Sequence, residues 1–141
     1  MIRLAKNSEI GTIATMLRYM YRELWGEEAS NDLDIYTKVV KGHIDNPKEY
    51  VYVDDKYRGF FIVRDETEIM TPNLHRFNGI RVFIHPDYRK SPLLRLFYTH
   101  LFHEFPDGDI LGMTEINSEH IAVLDKRHEL IAKVYKLNRS R

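Results

Sequence analysis

The sequence has no cysteine among its 141 residues. That absence excludes disulfides, thiolate nucleophiles and zinc sites with sulfur ligands. No apolar run approaches the roughly 20 residues that span a bilayer, and residues 1–6 lack the long apolar stretch of a signal peptide. Together these absences predict a soluble, cytoplasmic protein with no membrane partner.

The sequence also has no excess of charge of either sign, because 21 Lys and Arg residues balance 21 Asp and Glu residues. A formal net charge of zero gives no whole-protein attraction for nucleic acid, so a nucleic-acid partner is not predicted. His100 and His103 stand near Glu104 in one predicted helix, but no second cluster completes a metal site. The sequence therefore predicts a solvated helix face there, and no metal.

Composition and length predict one globular domain over residues 1–141. Hydrophobic periodicity and turn residues predict the order strand, helix, helix, strand, strand, strand, helix, strand, helix, strand. This order favours an α/β or α+β fold in which helices flank one mixed central sheet. The predicted segments are, in that order, residues 2–5, 10–24, 31–46, 50–53, 59–63, 80–84, 92–105, 110–116, 117–127 and 130–137.

Cap residues and apolar spacing predict the ends and the buried faces of the helices. Asn7-Ser8 is the predicted N-cap of the first helix and Gly26 its end, and Asn31-Asp32 is the predicted start of the second. The residues predicted to be buried are Ile35, Val39, Val40 and Ile44 in the second helix and Leu93, Leu96, Phe97, Leu101 and Phe105 in the third.

The two strands in the middle of the chain are expected to form a hairpin. The turn Asp54-Asp55-Lys56 joins them, so they should pair antiparallel. Gly59 is interpreted as a bulge position. A polar stretch follows the hairpin, includes Thr71-Pro72-Asn73, and is interpreted as a loop.

Residues 82–96 read Val-Phe-Ile-His-Pro-Asp-Tyr-Arg-Lys-Ser-Pro-Leu-Leu-Arg-Leu, an apolar strand followed by a turn and a helix. This segment resembles the central motif of the GCN5-related N-acetyltransferase (GNAT) superfamily. That motif is an apolar strand, x-Pro-x-x-Arg, x-x-Gly-x-Gly/Ala and a helix. Pro86 and Arg89 match it, whereas Pro92 and Leu94 occupy the glycine positions. The Arg-x-Ser form of the loop is similar to that of phage-encoded relatives.

The resemblance implies acetyl-CoA as co-substrate, with its pyrophosphate on backbone N–H groups at the helix N-terminus. It also implies that the strands at 80–84 and 110–116 are parallel neighbours, with the helix at 92–105 crossing between them. The later segment from residue 110 is similar to the family's next strand and helix, where an Asn contacts the cofactor. The residues that the resemblance assigns to cofactor binding are Val82, Phe83, Ile84, Arg89, Lys90, Ser91, Pro92, Leu93, Leu94 and Asn117.

Two residues are candidate general bases for taking a proton from the acceptor amine. Glu115 lies on the predicted fifth strand, with a solvated strand residue as the alternative, and His85 follows the fourth, with an ordinary turn residue as the alternative. Leu124 stands where the family often has a tyrosine that protonates the departing thiolate. For Arg89 the alternative to phosphate binding is a surface pair with Asp87, and for Ser91 it is helix capping.

Two functions follow from the resemblance and its departures. The first is acetyl transfer from acetyl-CoA to a primary amine of a small molecule or protein. The second is a catalytically inactive binding protein that kept the fold, for example a viral inhibitor or virion component. The sequence leaves open whether the chain forms a homodimer.

Overall fold

Within residues 1–112, which the computed structural model describes, five strands form one mixed sheet with helices packed on both faces. The strands lie in the order β1-β2-β3-β4-β5 and pair antiparallel, except that β4 and β5 are parallel. No helix in this part is long and apolar enough to cross a membrane. The elements are β1 (Ile2–Leu4), α1 (Ile10–Trp25), α2 (Leu33–Asp45), β2 (Glu49–Asp54), β3 (Gly59–Asp65), β4 (Arg76–Ile84), α3 (Leu93–Glu104) and β5 (Asp109–Gly112).

Alternation along the strands divides the interior into two apolar clusters. On one face, Phe60 and Ile62 pack with α1 and α2 in what we call the α1–α2 core. On the other face, Phe61 and Val63 pack with α3 in the α3 core. This arrangement confirms the predicted mixed sheet flanked by helices.

The first helix begins differently from the prediction. Asn7 and Ser8 do not cap it, because they lie in a 3₁₀ turn, Asn7–Glu9, that precedes α1. The Glu9 carboxylate accepts the N–H of Lys6 at 2.8 Å and thereby satisfies the start of that turn. Gly26 ends α1 as predicted, with a φ of 57° that glycine adopts without strain.

Two predicted core residues are exposed in the structure. Ile35 in α2 and Leu96 in α3 are each about half exposed, at 48% and 47%. The predicted apolar stripe was too wide in both helices because it included a residue directly beside the buried face. Only residues about four positions apart face the sheet. The buried residues of these helices are Tyr36, Val40, Leu93, Phe97 and Leu101.

The hairpin of β2 and β3 is confirmed, but Gly59 is not a bulge. Gly59 pairs directly with Ile84, and a Cβ there would lie 2.4 Å from the carbonyl oxygen of Phe83. Glycine is therefore needed for the close approach of two backbones. The register shift lies instead between Ile62 and Val63, which pair with Arg81 and Gly79 and leave Ile80 as the extra residue of β4.

β4 is longer than predicted because it begins at Arg76, inside the stretch interpreted as a loop. Phe77 explains the extension, since its buried ring stacks on Phe105 with 4.1 Å between centroids. β4 and β5 pair in parallel from Arg76↔Asp109 to Gly79↔Gly112, and α3 connects them. The expected parallel neighbours are thus confirmed, while residues 113–116 and the predicted elements at 117–127 and 130–137 lie outside the described residues.

A charged cluster fastens the start of the chain to the hairpin. The Arg3 guanidinium donates to both oxygens of Glu9 at 2.7 Å, and the Tyr57 hydroxyl donates to the same carboxylate at 2.5 Å. These hydrogen bonds, from Arg3 first, lower the pKa of Glu9 from 4.5 to about 2 although burial opposes the shift. Tyr57 has a φ of 52°, a left-handed conformation that this contact helps to hold.

Acid should therefore weaken the fold through Glu9. A carboxyl with a depressed folded-state pKa stabilises the protein fully above its unfolded value and loses that contribution as pH falls through the folded value. We expect the Glu9 contribution to disappear between about pH 4.5 and pH 2. Urea unfolding of the natural protein and Glu9→Gln over this range should give curves that converge as the pH falls. A constant difference would contradict the prediction, and Glu27→Gln, on an exposed turn, is the control.

Candidate functional site

The loop from β4 to α3 forms the strand–turn–helix unit singled out in the sequence. After β4 ends, a 3₁₀ turn covers Pro86–Tyr88. The first turn of α3 has two open donors, because the N–H groups of Leu94 and Arg95 have no acceptor within residues 1–112. Open N–H groups at a helix N-terminus favour an anion.

The side chains around these donors are mostly engaged in the loop itself. The Ser91 hydroxyl donates to the Tyr88 carbonyl at 2.5 Å and accepts the Leu93 N–H at 3.3 Å, which is a capping arrangement. Leu93 is buried, and Leu94 packs half-buried against the α3 core. Pro92 supplies no N–H. Lys90 is exposed and makes no ion pair with any described residue.

Arg89 lies at the predicted site, but its contacts described here are with other parts of the protein. Its Nε donates to the Ile84 carbonyl at 3.0 Å, and a terminal nitrogen donates to Glu23 of α1. The guanidinium therefore ties the end of β4 to α1, and its carboxylate partner is Glu23 rather than Asp87. A phosphate would have to share this arginine with Glu23.

His85 sits at the start of the 3₁₀ turn with one ring nitrogen engaged. Its Nδ1 accepts the N–H of Asp87 at 3.2 Å, so a neutral ring carries its proton on Nε2. The ring stacks against Tyr19 with 6.1 Å between centroids and meets Tyr88 edge-on at 5.9 Å. No described residue accepts a hydrogen bond from Nε2–H, so in this tautomer Nε2 can donate a proton but has no free electron pair with which to take one.

The backbone of β4 presents two N–H groups to the edge away from β3. His85 N–H donates to the Arg58 carbonyl on the β3 side at 2.7 Å. Because donors alternate along an antiparallel strand, Phe83 N–H points to β3, whereas Val82 and Ile84 N–H point to the opposite edge. Of the three β4 residues assigned to cofactor binding, Val82 and Ile84 have N–H groups in the direction that binding the thioester carbonyl oxygen needs. Glu115, Asn117 and Leu124 lie outside the described residues.

A cavity of about 400 Å³ opens beside β4, between α1 and α2, and we call it the α1–α2 pocket. Its walls are mainly apolar and aromatic, and Arg81 of β4 supplies its basic group. Glu28, on the exposed 3₁₀ turn Gly26–Glu28, supplies its acidic group. The other lining residues are Leu17, Tyr21, Trp25, Ala29, Ser30, Ile35, Tyr36 and Val39.

Arg81 belongs to a chain of hydrogen bonds that starts at a buried carboxylate. Its Nε donates to His43 Nε2 at 3.1 Å, and a terminal nitrogen donates to the Tyr21 hydroxyl. Since Nε2 of His43 accepts, the ring proton is on Nδ1 and is donated to Glu49. Arg64 and Asn46 donate to the other oxygen of Glu49.

Glu49 is the anchor of this chain because its side chain is only 2% exposed and still ionised. Burial by itself raises its pKa, but hydrogen bonds from His43 and Arg64 outweigh burial and lower the pKa below the usual value. None of these residues is among the site residues predicted from the sequence. One signal was present: Arg81 interrupts the apolar strand Ile80-Arg-Val-Phe-Ile84, where a charged side chain must have a partner or a role.

No protein-family model matches the sequence, and no curated protein sequence matches it. Solved structures do match its fold. A possible acetyltransferase from Clostridium difficile 630 has a TM-score of 0.76 at 19% identity, over 100% of this chain and 98% of that one. A ribosomal-protein-alanine N-acetyltransferase from Brucella melitensis biovar Abortus 2308 has a TM-score of 0.75 at 14% identity, over 99% and 97%. The chain has the GNAT fold.

The same fold occurs in an aminoglycoside acetyltransferase. An aminoglycoside acetyltransferase from an uncultured soil metagenomic sample, in complex with sisomicin, has a TM-score of 0.67 at 9% identity, over 98% of this chain and 96% of that one. Identities this low show the shared GNAT fold alone, and fold does not by itself assign a substrate.

Proposed function

We propose that the protein transfers an acetyl group from acetyl-CoA to a primary amine of a small molecule or protein. The observation that carries the proposal is the placement of the α3 N-terminus directly after β4, which lies parallel to β5, in a fold shared with acetyltransferases. The open N–H groups of Leu94 and Arg95 would receive the pyrophosphate. Exposed Lys90 and Arg95 add positive charge beside it.

The reaction needs little covalent help from the protein. The amine nitrogen attacks the thioester carbonyl carbon, a C–N bond forms, the C–S bond breaks, and coenzyme A leaves as a thiolate. One proton leaves the amine and one is gained by the thiolate. Glu115 and His85 are the proposed bases for the first proton. His85 serves in the tautomer that carries its proton on Nδ1, 3.7 Å from an Asp87 carboxylate oxygen, and leaves the Nε2 electron pair free. Val82 and Ile84 N–H are the proposed donors to the carbonyl oxygen. Positioning supplies the remaining acceleration.

A second function is favoured by the loop itself. Ser91 and Arg89 already have protein partners, and Pro92 removes one donor. A protein that kept this fold as a binding scaffold, without acetyl transfer, would show these features. Such a protein would not need acetyl-CoA.

One measurement separates the two functions. A ligand that binds only the folded state raises its melting temperature, so acetyl-CoA should stabilise an enzyme. Thiol release over a panel of primary amines then reports transfer. If acetyl-CoA does not raise the melting temperature and no amine causes thiol release, the binding scaffold is supported and the enzyme is excluded.

Restoring the family's glycine should strengthen cofactor binding. Pro92→Gly supplies a backbone N–H at the start of α3, and one charge-assisted hydrogen bond to phosphate should lower the Kd for acetyl-CoA about tenfold. Calorimetry on the natural protein and Pro92→Gly gives the comparison. Pro106→Gly, after α3, controls for the added chain flexibility. An unchanged Kd in Pro92→Gly would show that this N–H position does not face the phosphate.

A further inference from the structure

The charge of Arg81 is not balanced by a nearby carboxylate among the described residues. Its two hydrogen-bond partners, His43 Nε2 and the Tyr21 hydroxyl, are both uncharged acceptors. The carboxylate behind His43 is Glu49, and it is already occupied by Arg64, Asn46 and His43 itself. A half-buried guanidinium with only neutral partners is costly unless an anion completes it.

The position of Arg81 is fixed. Nε is held by His43, one terminal nitrogen is held by Tyr21, and the guanidinium carbon lies 5.6 Å from the centre of the Tyr21 ring. The fork is therefore oriented before a ligand arrives, which reduces the entropy lost on binding. Its remaining N–H donors suit the two oxygens of a carboxylate.

The rest of the α1–α2 pocket accepts an apolar body. Leu17, Ile35 and Val39 provide aliphatic surface, and Tyr21 and Trp25 provide aromatic faces. A cavity of about 400 Å³ is large enough for a small molecule. Glu28 lies on the exposed turn, and the hydrogen bonds of Arg81 go to His43 and Tyr21 and not to Glu28, so Glu28 leaves the guanidinium available.

We infer that the α1–α2 pocket binds a small acceptor whose carboxylate pairs with Arg81 and whose apolar, preferably aromatic, side chain packs between α1 and α2. An aromatic or branched α-amino acid has this chemistry, and its amine lies next to the carboxylate and therefore close to β4. Only the statement that the bound molecule accepts an acetyl group rests on the proposed function, because carboxylate binding at this site needs no acetyl transfer. When transfer occurs, the amine nitrogen forms the amide and coenzyme A leaves as its thiol.

The test uses binding of 3-phenylpropionate and its neutral analogue 3-phenylpropanamide, measured by calorimetry without acetyl-CoA. The natural protein should bind the carboxylate about 10- to 100-fold more tightly than the amide, the value of a charge-assisted pair. Arg81→Gln should lose this preference, whereas Arg76→Gln, an exposed arginine on the same strand, should keep it. Equal affinity of the natural protein for the two compounds would overturn the inference, whether or not Arg81→Gln folds.

A parallel assay distinguishes failure of the inference from failure of the proposed function. Thiol release from acetyl-CoA is compared for L-phenylalanine, L-phenylalaninamide and 2-phenylethylamine. Preference for L-phenylalanine that Arg81→Gln abolishes supports both. Carboxylate-dependent binding without thiol release supports the pocket and removes acetyl transfer. Thiol release that is equally fast with 2-phenylethylamine overturns the carboxylate requirement while acetyl transfer stands.

Discussion

Replacing Glu49 with alanine should lower the free energy of unfolding by about 3–5 kcal/mol, the usual cost of breaking a buried charge pair. The variant leaves the donors of His43, Arg64 and Asn46 without the carboxylate that now accepts them. It also frees His43 to turn, so Arg81 should lose its orientation. Urea denaturation at neutral pH measures the first effect.

The matched control for Glu49 is Asp45→Ala. Asp45 also forms a carboxylate pair, at 2.8 Å from Lys41, but both side chains are more than half exposed. A surface pair of this kind contributes roughly 0–1 kcal/mol, so Asp45→Ala should unfold almost as the natural protein does. Equal losses in the two variants would mean that burial of Glu49 does not set its importance.

Phe60→Ala should destabilise the protein by a comparable amount, about 3–5 kcal/mol, through a cavity in the α1–α2 core. Phe60 is completely buried, and its ring packs on Phe83 with 6.0 Å between centroids. For a chain of this size the melting temperature should fall by roughly 10–15 °C. Differential scanning calorimetry provides both quantities.

Phe102 offers the control for Phe60 because its side chain is 60% exposed on α3. Phe102→Ala removes the same atoms without opening an internal cavity, so its effect should stay within about 0.5 kcal/mol. If Phe102→Ala cost as much as Phe60→Ala, Phe102 would have to be covered by part of the folded protein.

Local patterns were enough to predict the hairpin and the three helices of the described region, whereas the parallel pairing of β4 with β5 was implied by the family resemblance. These elements depend on neighbouring residues: turn chemistry at Asp54–Lys56, glycine at position 26, and apolar spacing within each helix. Register was harder, because a bulge is decided by the partner strand. Gly59 looked like a bulge on its own chain, yet it is a glycine because of the Phe83 carbonyl opposite.

The contacts of the candidate site could not be read from the sequence, because they join distant positions. Arg89 pairs with Glu23, 66 residues away, although Asp87 is two positions from it. Arg81 meets His43 and Tyr21 across 38 and 60 residues. Only the tertiary fold selects among several acidic or aromatic partners for one arginine, whereas spacing along the chain favours the nearest one.

The extra residue at Ile80 changes the parity of β4. Phe77 and Phe83 are six positions apart, so in a regular strand they would share a face, yet Phe77 lies in the α3 core and Phe83 in the α1–α2 core. The first half of the strand thus serves one layer and the second half the other. Arg81 follows the extra residue and is two positions before Phe83, so it lies on the same face as Phe83 and lines the α1–α2 pocket. Deleting residue 80 would leave these two rings an odd number of positions apart, so an even ladder would then keep both halves of β4 facing their present layers. Pairing the intact strand without the bulge would instead turn one half of it to the wrong layer.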